Sequence, residues 1–173
     1  MKSAQTISKL MSFALRHKPA DVGIAVDAQG WANIADLCAA ADITEDQIRD
    51  AVETNNKQRF KISGDGKFVR ANQGHSLPVD LGLEPVTPPE TLWHGTAEKS
   101  LEAIRAGGLK PMSRQQVHLS GDVETARMVG MRHGKPAILA VRAGAAHRDG
   151  QAFYLSKNRV WLTAALNESN LEF

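Results

Sequence analysis

The sequence predicts an α+β protein with two lobes, residues 1–76 and 92–173, and three observations support that class. Amphipathic helical patterns fill the first lobe, which ends in a β-hairpin pattern. The segment between the lobes, 77–91, is rich in proline and lacks helical periodicity, which favours an extended linker. In the second lobe, short strands and short helices do not alternate strictly, so a mixed α+β sheet is favoured over a doubly wound one.

The first helix is predicted from apolar residues at three-to-four spacing: Ile7, Leu10, Met11, Ala14 and Leu15. Ser3 or Thr6 is expected to cap its start, and Pro19 is expected to end it. The cations at its end, residues 16–18, suit the partial negative charge of a helix C-terminus, which is their simplest explanation.

The rest of the first lobe forms a winged-helix pattern of three helices and a terminal hairpin. A helix over 34–41 begins after Asn33, and the next begins with Thr44 and Gln47 at capping-box spacing. Two short β-like runs flank the turn at 64–66, which predicts the hairpin.

A winged helix raises the alternative of a DNA-binding regulator. Its third helix, TEDQIRDAVET at 44–54, carries four carboxylates against Arg49 alone, a local net charge of −3. Such a helix is repelled by the phosphates beside a major groove and offers no base-reading arginine or asparagine. The usual mode of DNA reading is therefore not predicted.

In the second lobe, strands are predicted at TLWHGT, VHLS, AILAVR and RVWLT. Helices are predicted at KSLEAIRAGG, where glycines end the helix, and from Asp122 to Gly130.

Composition limits the function classes. The 173 residues carry a net charge of +2, too small for a protein that depends on non-specific phosphate attraction. The longest apolar run is too short to span a bilayer, and no secretory signal is visible, so we expect a cytoplasmic protein, which we take to be a monomer. The single cysteine, Cys38, excludes internal disulfides, and the six histidines lack HExxH-like spacing, so no metal is expected.

The chemistry-bearing motifs place arginine or histidine beside glycine at the ends of elements: LRHKP, VRANQGHS, WHGT, VHLS and VGMRHGKP. No P-loop and no GxGxxG is present. Each motif alone has an ordinary structural explanation, but five of them in one chain indicate a site that binds anions.

These motifs, with ISKLMSFALRHKP, KQRFKIS, GLKPMSRQQVHLS and FYLSKNRVWLT, occur in an order that resembles the RNA 2′-phosphotransferase family over essentially the whole chain. Trp93, where a tyrosine is common, and Asn56, where an acidic residue is frequent, depart from the pattern. The resemblance implies a winged-helix lobe and an NAD-binding lobe similar to ADP-ribosyltransferases.

The resemblance also implies a reaction in two steps. An internal RNA 2′-phosphate attacks the NAD ribose, releases nicotinamide and gives a phospho-ADP-ribosylated RNA. The ribose 2″-hydroxyl then attacks that phosphorus, giving 2′-hydroxyl RNA and ADP-ribose 1″,2″-cyclic phosphate.

Site residues follow from the matching motif positions. The implied catalytic set is Arg16, His17, Arg70 and Arg132. The implied NAD-binding set is His94, Gly95, Thr96, His118 and Ser120, where Gly95 is expected to let the ligand approach the backbone. Lys57, Gln73 and His75 are expected to contact RNA. Guanidinium groups bind phosphate in a fixed fork, so Arg16 and Arg132 are expected to clamp it, while His17 and Arg70 serve the second step.

Two other functions stay open from the residues. An ADP-ribosyltransferase would stop after the first step, although no glutamate stands at a position matching those enzymes. A non-enzymatic winged-helix module that binds nucleic acid would leave WHGT and RHGKP unexplained, and a test of NAD binding would separate it.

Overall fold

The computed structural model describes residues 2–173 and contains two compact units, one up to Gly82 and one of Leu83–Phe173. Seven α-helices and nine short strands occur in the described residues, so the α+β class is confirmed. The proline-rich segment 77–91 is shared between the units. Asp80 N–H donates to the carbonyl of Ala28 in the first unit, and Val86 N–H donates to Phe153 in the second.

The first unit contains four helices and one antiparallel sheet. The helices are α1 (Ala4–Arg16), α2 (Pro19–Val22), α3 (Ile34–Ala41) and α4 (Glu45–Glu53), and the strands are β1 (Ala32–Asn33), β2 (Phe60–Ile62) and β3 (Phe68–Ala71). The sheet order is β1-β3-β2, with the predicted hairpin formed by β2 and β3. Apolar side chains of α1, α3, α4 and β3 form the core, among them Met11, Leu37, Ile48 and Val69, all without exposed surface.

The predicted helix starts are confirmed. Ser3 Oγ accepts from Thr6 N–H, Asn33 Oδ1 accepts from Ala35 N–H, and Thr44 forms the complete capping box with Gln47. α1 ends at Arg16, before Pro19 as predicted. Pro19 is also the first residue of α2, a position where the N–H that proline lacks would have no partner within the helix.

The second unit contains α5 (Leu101–Gly107), α6 (Val123–Gly130) and α7 (Ala143–Arg148), with strands β4 (Leu92–Ala97), β5 (Val117–Leu119), β6 (Pro136–Val141), β7 (Phe153–Leu155), β8 (Trp161–Thr163) and β9 (Leu171–Glu172). Its sheets have the orders β4-β6-β9 and β5-β8-β7. A backbone pair between Trp93 and Ser120 joins β4 to the end of β5.

The expectation of a mixed sheet is wrong for the described strands, because every named pair is antiparallel. β7 and β8, for example, are joined by the turn at 156–160, which is too short for the crossover that parallel strands need. The sequence also gave no signal for α7, whose AGAAHR stretch is short and lacks helical apolar periodicity.

No helix among residues 2–173 has the length and apolar character needed to cross a membrane.

Candidate functional site

Arg16 and His17 lie at the C-terminal end of α1, and a later segment of the chain holds them there. Ser76 N–H donates to the carbonyl of Arg16 at 2.9 Å, and Ser76 Oγ lies 3.0 Å from His17 Nδ1. The Arg16 side chain lies beside Gly74, where an added Cβ would come within 3.5 Å of Cζ and where φ is +89°. We call residues 74–76 the strap, since they tie the segment after β3 to the end of α1.

Arg70 is held on β3 by an aromatic face and by two carbonyls. Its Cζ lies 4.6 Å from the centre of the Trp31 ring, and its Nη1 and Nη2 donate to the carbonyls of Gln29 and Leu81 at 3.1 and 3.4 Å. Desolvation lowers the pKa of Arg70, and the charge of Asp27 acts in the opposite direction. Arg70 Nε is buried and has no hydrogen-bond partner among residues 2–173.

His75 is the buried centre of this group. Only 2% of it is exposed, and its Nε2 has no hydrogen-bond partner within the described residues. Burial, followed by the positive charges of Arg16, Arg70 and His17, lowers the pKa of His75 to about 4. His75 is therefore neutral at physiological pH, and Arg16, Arg70 and His17 are the charged groups that act on it. We call these four residues the N-terminal cluster.

The three predicted RNA contacts differ in position. The burial of His75 suits support of the neighbouring cations better than direct contact with RNA. Lys57 is exposed on the loop before β2, which Asn55 organises by accepting from the N–H groups of Lys57 and Arg59. Gln73 is half-buried between β3 and the strap.

In the second unit, the His94 ring on β4 contacts the backbone of His118 on β5. His94 Nδ1 donates to the carbonyl of His118 at 3.0 Å, and His118 Nδ1 donates to the carbonyl of Gln116 at 3.0 Å. Burial is the main cause that lowers the pKa of His94, with smaller contributions from His133 and Arg114. A neutral His94 with its proton on Nδ1 carries its lone pair on Nε2.

In the second unit, the charge of Arg132 acts on Arg114. Arg132 is exposed in a 3-10 helix, Met131–His133, that directly follows α6. Desolvation and then the positive charge of Arg132 lower the pKa of Arg114. Sequence reasoning missed Arg114, although it stands in the quoted motif GLKPMSRQQVHLS. We call His94, His118, Arg114, Arg132 and His133 the C-terminal cluster.

Gly95 is required for a reason that the sequence did not indicate. An added Cβ would lie 1.7 Å from the carbonyl oxygen of Ala126, because α6 packs directly on the backbone of β4. A Cβ at Gly130, at the other end of the same contact, would lie 2.7 Å from the Thr96 oxygen. The group that comes close to the Gly95 backbone in this structure is therefore helix α6, whereas the sequence predicted a ligand there. Thr96 is half-buried on β4, and Ser120 pairs through its backbone with Trp93.

Within residues 2–173, no group of three or more His, Cys, Asp and Glu side chains is arranged to hold a metal ion. The side chains gathered in the two clusters are guanidinium and imidazole groups, whose N–H groups can donate to anionic oxygen.

Comparison with known proteins places this chain among the transferases. The model of the RNA 2′-phosphotransferase, Tpt1 / KptA family, matches residues 2–165. A probable RNA 2′-phosphotransferase of Agrobacterium fabrum is 51% identical over 169 residues, covering 95% of this chain and 91% of the relative. Those of Hahella chejuensis and Acaryochloris marina are 50% and 48% identical, covering 95% and 92% of this chain and 91% of each relative. The chain belongs to the RNA 2′-phosphotransferase family.

Proposed function

We propose that this protein removes an internal 2′-phosphate from RNA and transfers it to NAD. The observation that supports the proposal most directly is the N-terminal cluster, in which the strap holds Arg16 and His17 and the buried Nε of Arg70 has no hydrogen-bond partner among residues 2–173. A 2′-phosphate carries about −1.5 to −2 charges at neutral pH. Positively charged side chains that are held in fixed positions by contacts with the strap and with backbone carbonyls suit a ligand with two negative charges.

The unsatisfied Nε of Arg70 supports a phosphate ligand at this cluster. A buried N–H donor without an acceptor costs about 1–3 kcal/mol, and more when the group is charged. A phosphate oxygen is an acceptor that would remove this cost, and it would pair with a charge that desolvation already disfavours.

The donor set of the second unit fits NAD. His94 Nδ1 donates to a carbonyl and burial lowers the pKa of His94, so a neutral ring with its lone pair on Nε2 suits a ribose hydroxyl, and His118 lies on the neighbouring strand. Arg114 and Arg132 supply positive charge for the pyrophosphate or for the incoming RNA phosphate. NAD supplies a ribose carbon with nicotinamide as the leaving group.

In the first step, a 2′-phosphate oxygen forms a bond to C1″ of that ribose while the bond from C1″ to nicotinamide breaks. The electron pair leaves with nicotinamide, which becomes neutral. We assign Arg16 and Arg132 to holding the phosphate, since a guanidinium group binds phosphate oxygens in a fixed fork.

In the second step, O2″ forms a bond to phosphorus and releases its proton to solvent, while the bond from phosphorus to the RNA 2′-oxygen breaks and that oxygen gains a proton. Arg70 stabilises the additional charge on the phosphoryl oxygens, and His17 gives the departing oxygen its proton. The products are RNA with a 2′-hydroxyl and ADP-ribose 1″,2″-cyclic phosphate.

The test is incubation of a short RNA bearing one internal 2′-phosphate with the purified protein and NAD, in the presence of a chelator. We expect stoichiometric nicotinamide, 2′-hydroxyl RNA and the cyclic phosphate, all dependent on NAD. Nicotinamide release without loss of the phosphate would instead identify an ADP-ribosyltransferase. RNA binding without any reaction would favour the non-enzymatic module, and restoration of lost activity by a divalent ion would contradict the metal-free chemistry.

A further inference from the structure

Ser76, in the strap, makes three hydrogen-bonding contacts with the end of α1. Its N–H donates to the carbonyl oxygen of Arg16 at 2.9 Å. Its Oγ lies 3.3 Å from the same oxygen and 3.0 Å from His17 Nδ1. Ser76 thus contacts two consecutive residues of the proposed catalytic set, 60 and 59 positions away in the sequence.

These contacts favour one position for the His17 proton, because Ser76 Oγ lies within donating distance of the Arg16 carbonyl oxygen. A serine hydroxyl has a single hydrogen, and a carbonyl oxygen can only accept. When that hydrogen points to Arg16, the lone pairs of Ser76 Oγ are left for His17, so Nδ1 must be the donor. Neutral His17 then has its proton on Nδ1 and its lone pair on Nε2.

We propose that Ser76 is a positioning residue that fixes His17 in the Nδ1–H tautomer, so that Nε2 is the atom that exchanges a proton with the substrate. The proposal rests on the proposed function, in which His17 protonates the departing RNA oxygen. The Nδ1–H donor is present in both neutral and protonated imidazole, so Ser76 can hold the ring in one orientation while Nε2 changes between acceptor and donor.

The path of the chain explains how Ser76 reaches this place. β3 carries Arg70 and ends at Ala71, and the strap then turns through Gly74, whose φ of +89° is in the left-handed region that favours glycine. The backbone bond from Ser76 to Arg16 closes the connection. Ser76 itself is exposed, so removal of its hydroxyl leaves the core unchanged.

The first arm of the test measures the tautomer directly, by nitrogen-15 NMR of His17 in the wild-type protein and in Ser76→Ala. We expect the Nδ1–H form in the wild type and a shift toward Nε2–H, the form preferred by free histidine, in Ser76→Ala. Ser76→Thr keeps a hydroxyl and should retain Nδ1–H. Ser169→Ala removes an exposed serine of the second unit and is the matched control. An Nε2–H tautomer in the wild type, or an unchanged one in Ser76→Ala, would overturn the proposal.

The second arm separates the two steps of the reaction. In Ser76→Ala we expect nicotinamide release close to that of the wild type and formation of 2′-hydroxyl RNA slowed roughly 10- to 100-fold, the loss typical of one hydrogen bond to a charged group. Ser76→Thr should recover most of this rate. Equal slowing of both steps, or no slowing, would count against the positioning role. A wild-type protein without NAD-dependent activity would refute the proposed function, whereas the NMR arm would still decide the tautomer.

Discussion

The guanidinium of Arg70 lies over the indole of Trp31, with 4.6 Å between Cζ and the ring centre. Strand pairing produces this contact. Trp31 directly precedes Ala32 of β1, which pairs with Val69, the neighbour of Arg70 on β3. On the opposite edge of β3, Lys61 of β2 pairs with Arg70. Lys61 Nζ also approaches the same ring, at 5.4 Å. The tryptophan that precedes the edge strand therefore packs against the arginine of the central strand.

Removal of the ring should loosen Arg70 without removing its charge. We expect Trp31→Ala to slow formation of 2′-hydroxyl RNA by roughly 2- to 30-fold, the range of one cation–π contact. Trp31→Phe keeps an aromatic face and should fall between the wild type and Trp31→Ala in single-turnover assays. Indistinguishable rates for the alanine and phenylalanine variants would show that the ring does not orient Arg70.

Arg132→Ala should be far more damaging than Arg127→Ala. Arg132 follows α6 and influences Arg114, whereas Arg127 is an exposed residue of α6, 3.8 Å from the carboxylate of Glu124. Loss of a group that stabilises transition-state charge typically costs about 10²–10³ in rate, so we expect that loss for Arg132→Ala and almost none for Arg127→Ala. Equal losses in the two folded variants, measured by product formation, would refute the assignment.

His17→Ala should separate the two steps. Arg16, Arg70 and Arg132 remain, so the phosphate is still held and nicotinamide is still released. The second step loses its proton donor, and the phospho-ADP-ribosylated RNA should accumulate as a slower band on a denaturing gel. If nicotinamide release and final product fall together without such a band, His17 acts in the first step or in NAD binding. Wild-type rates for both steps would leave only the helix-dipole explanation for this residue.

Gly95→Ala should destabilise the second unit strongly. The new Cβ would lie 1.7 Å from the Ala126 oxygen, and since that neighbour is backbone, β4 and α6 must separate. We expect a loss of at least about 3 kcal/mol in the free energy of unfolding, at or above the upper end of ordinary overpacking. Gly64→Ala is the control, because nothing lies within 4 Å of an added Cβ there. Chemical denaturation compares the two, and similar midpoints would contradict the backbone contact.

His75 should make folding stability depend on pH. The pKa of His75 is lowered to about 4 in the folded protein from the ordinary histidine value of 6.5, so the unfolded chain binds the proton more readily between those values. Stability is therefore lost as pH falls from 6.5 toward 4, by up to about 3 kcal/mol from this residue. His75→Gln should flatten that part of the curve relative to wild type. Parallel curves for His75→Gln and wild type would show that His75 titrates normally.

The sequence by itself determined the local structure and the family of this protein. Helix starts at Ser3, Asn33, Thr44 and Asp122 were predictable because a cap depends on side-chain and N–H groups within three residues of each other. The hairpin around 64–66 depends equally on near neighbours. The ordered motifs indicated the family, which the comparisons confirm, whereas the NAD-binding and catalytic roles of individual residues stay predictions.

The tertiary structure alone decided which side chains act on one another. The burial of His75, the Ser76–His17 contact and the place of Trp31 over Arg70 join positions far apart in sequence, and nothing in local propensity specifies them. The antiparallel pairing of every described strand, and the role of Gly95 under α6, depend in the same way on how distant segments pack. Local patterns fix the backbone of each element, whereas desolvation and charge coupling arise only once those elements are assembled.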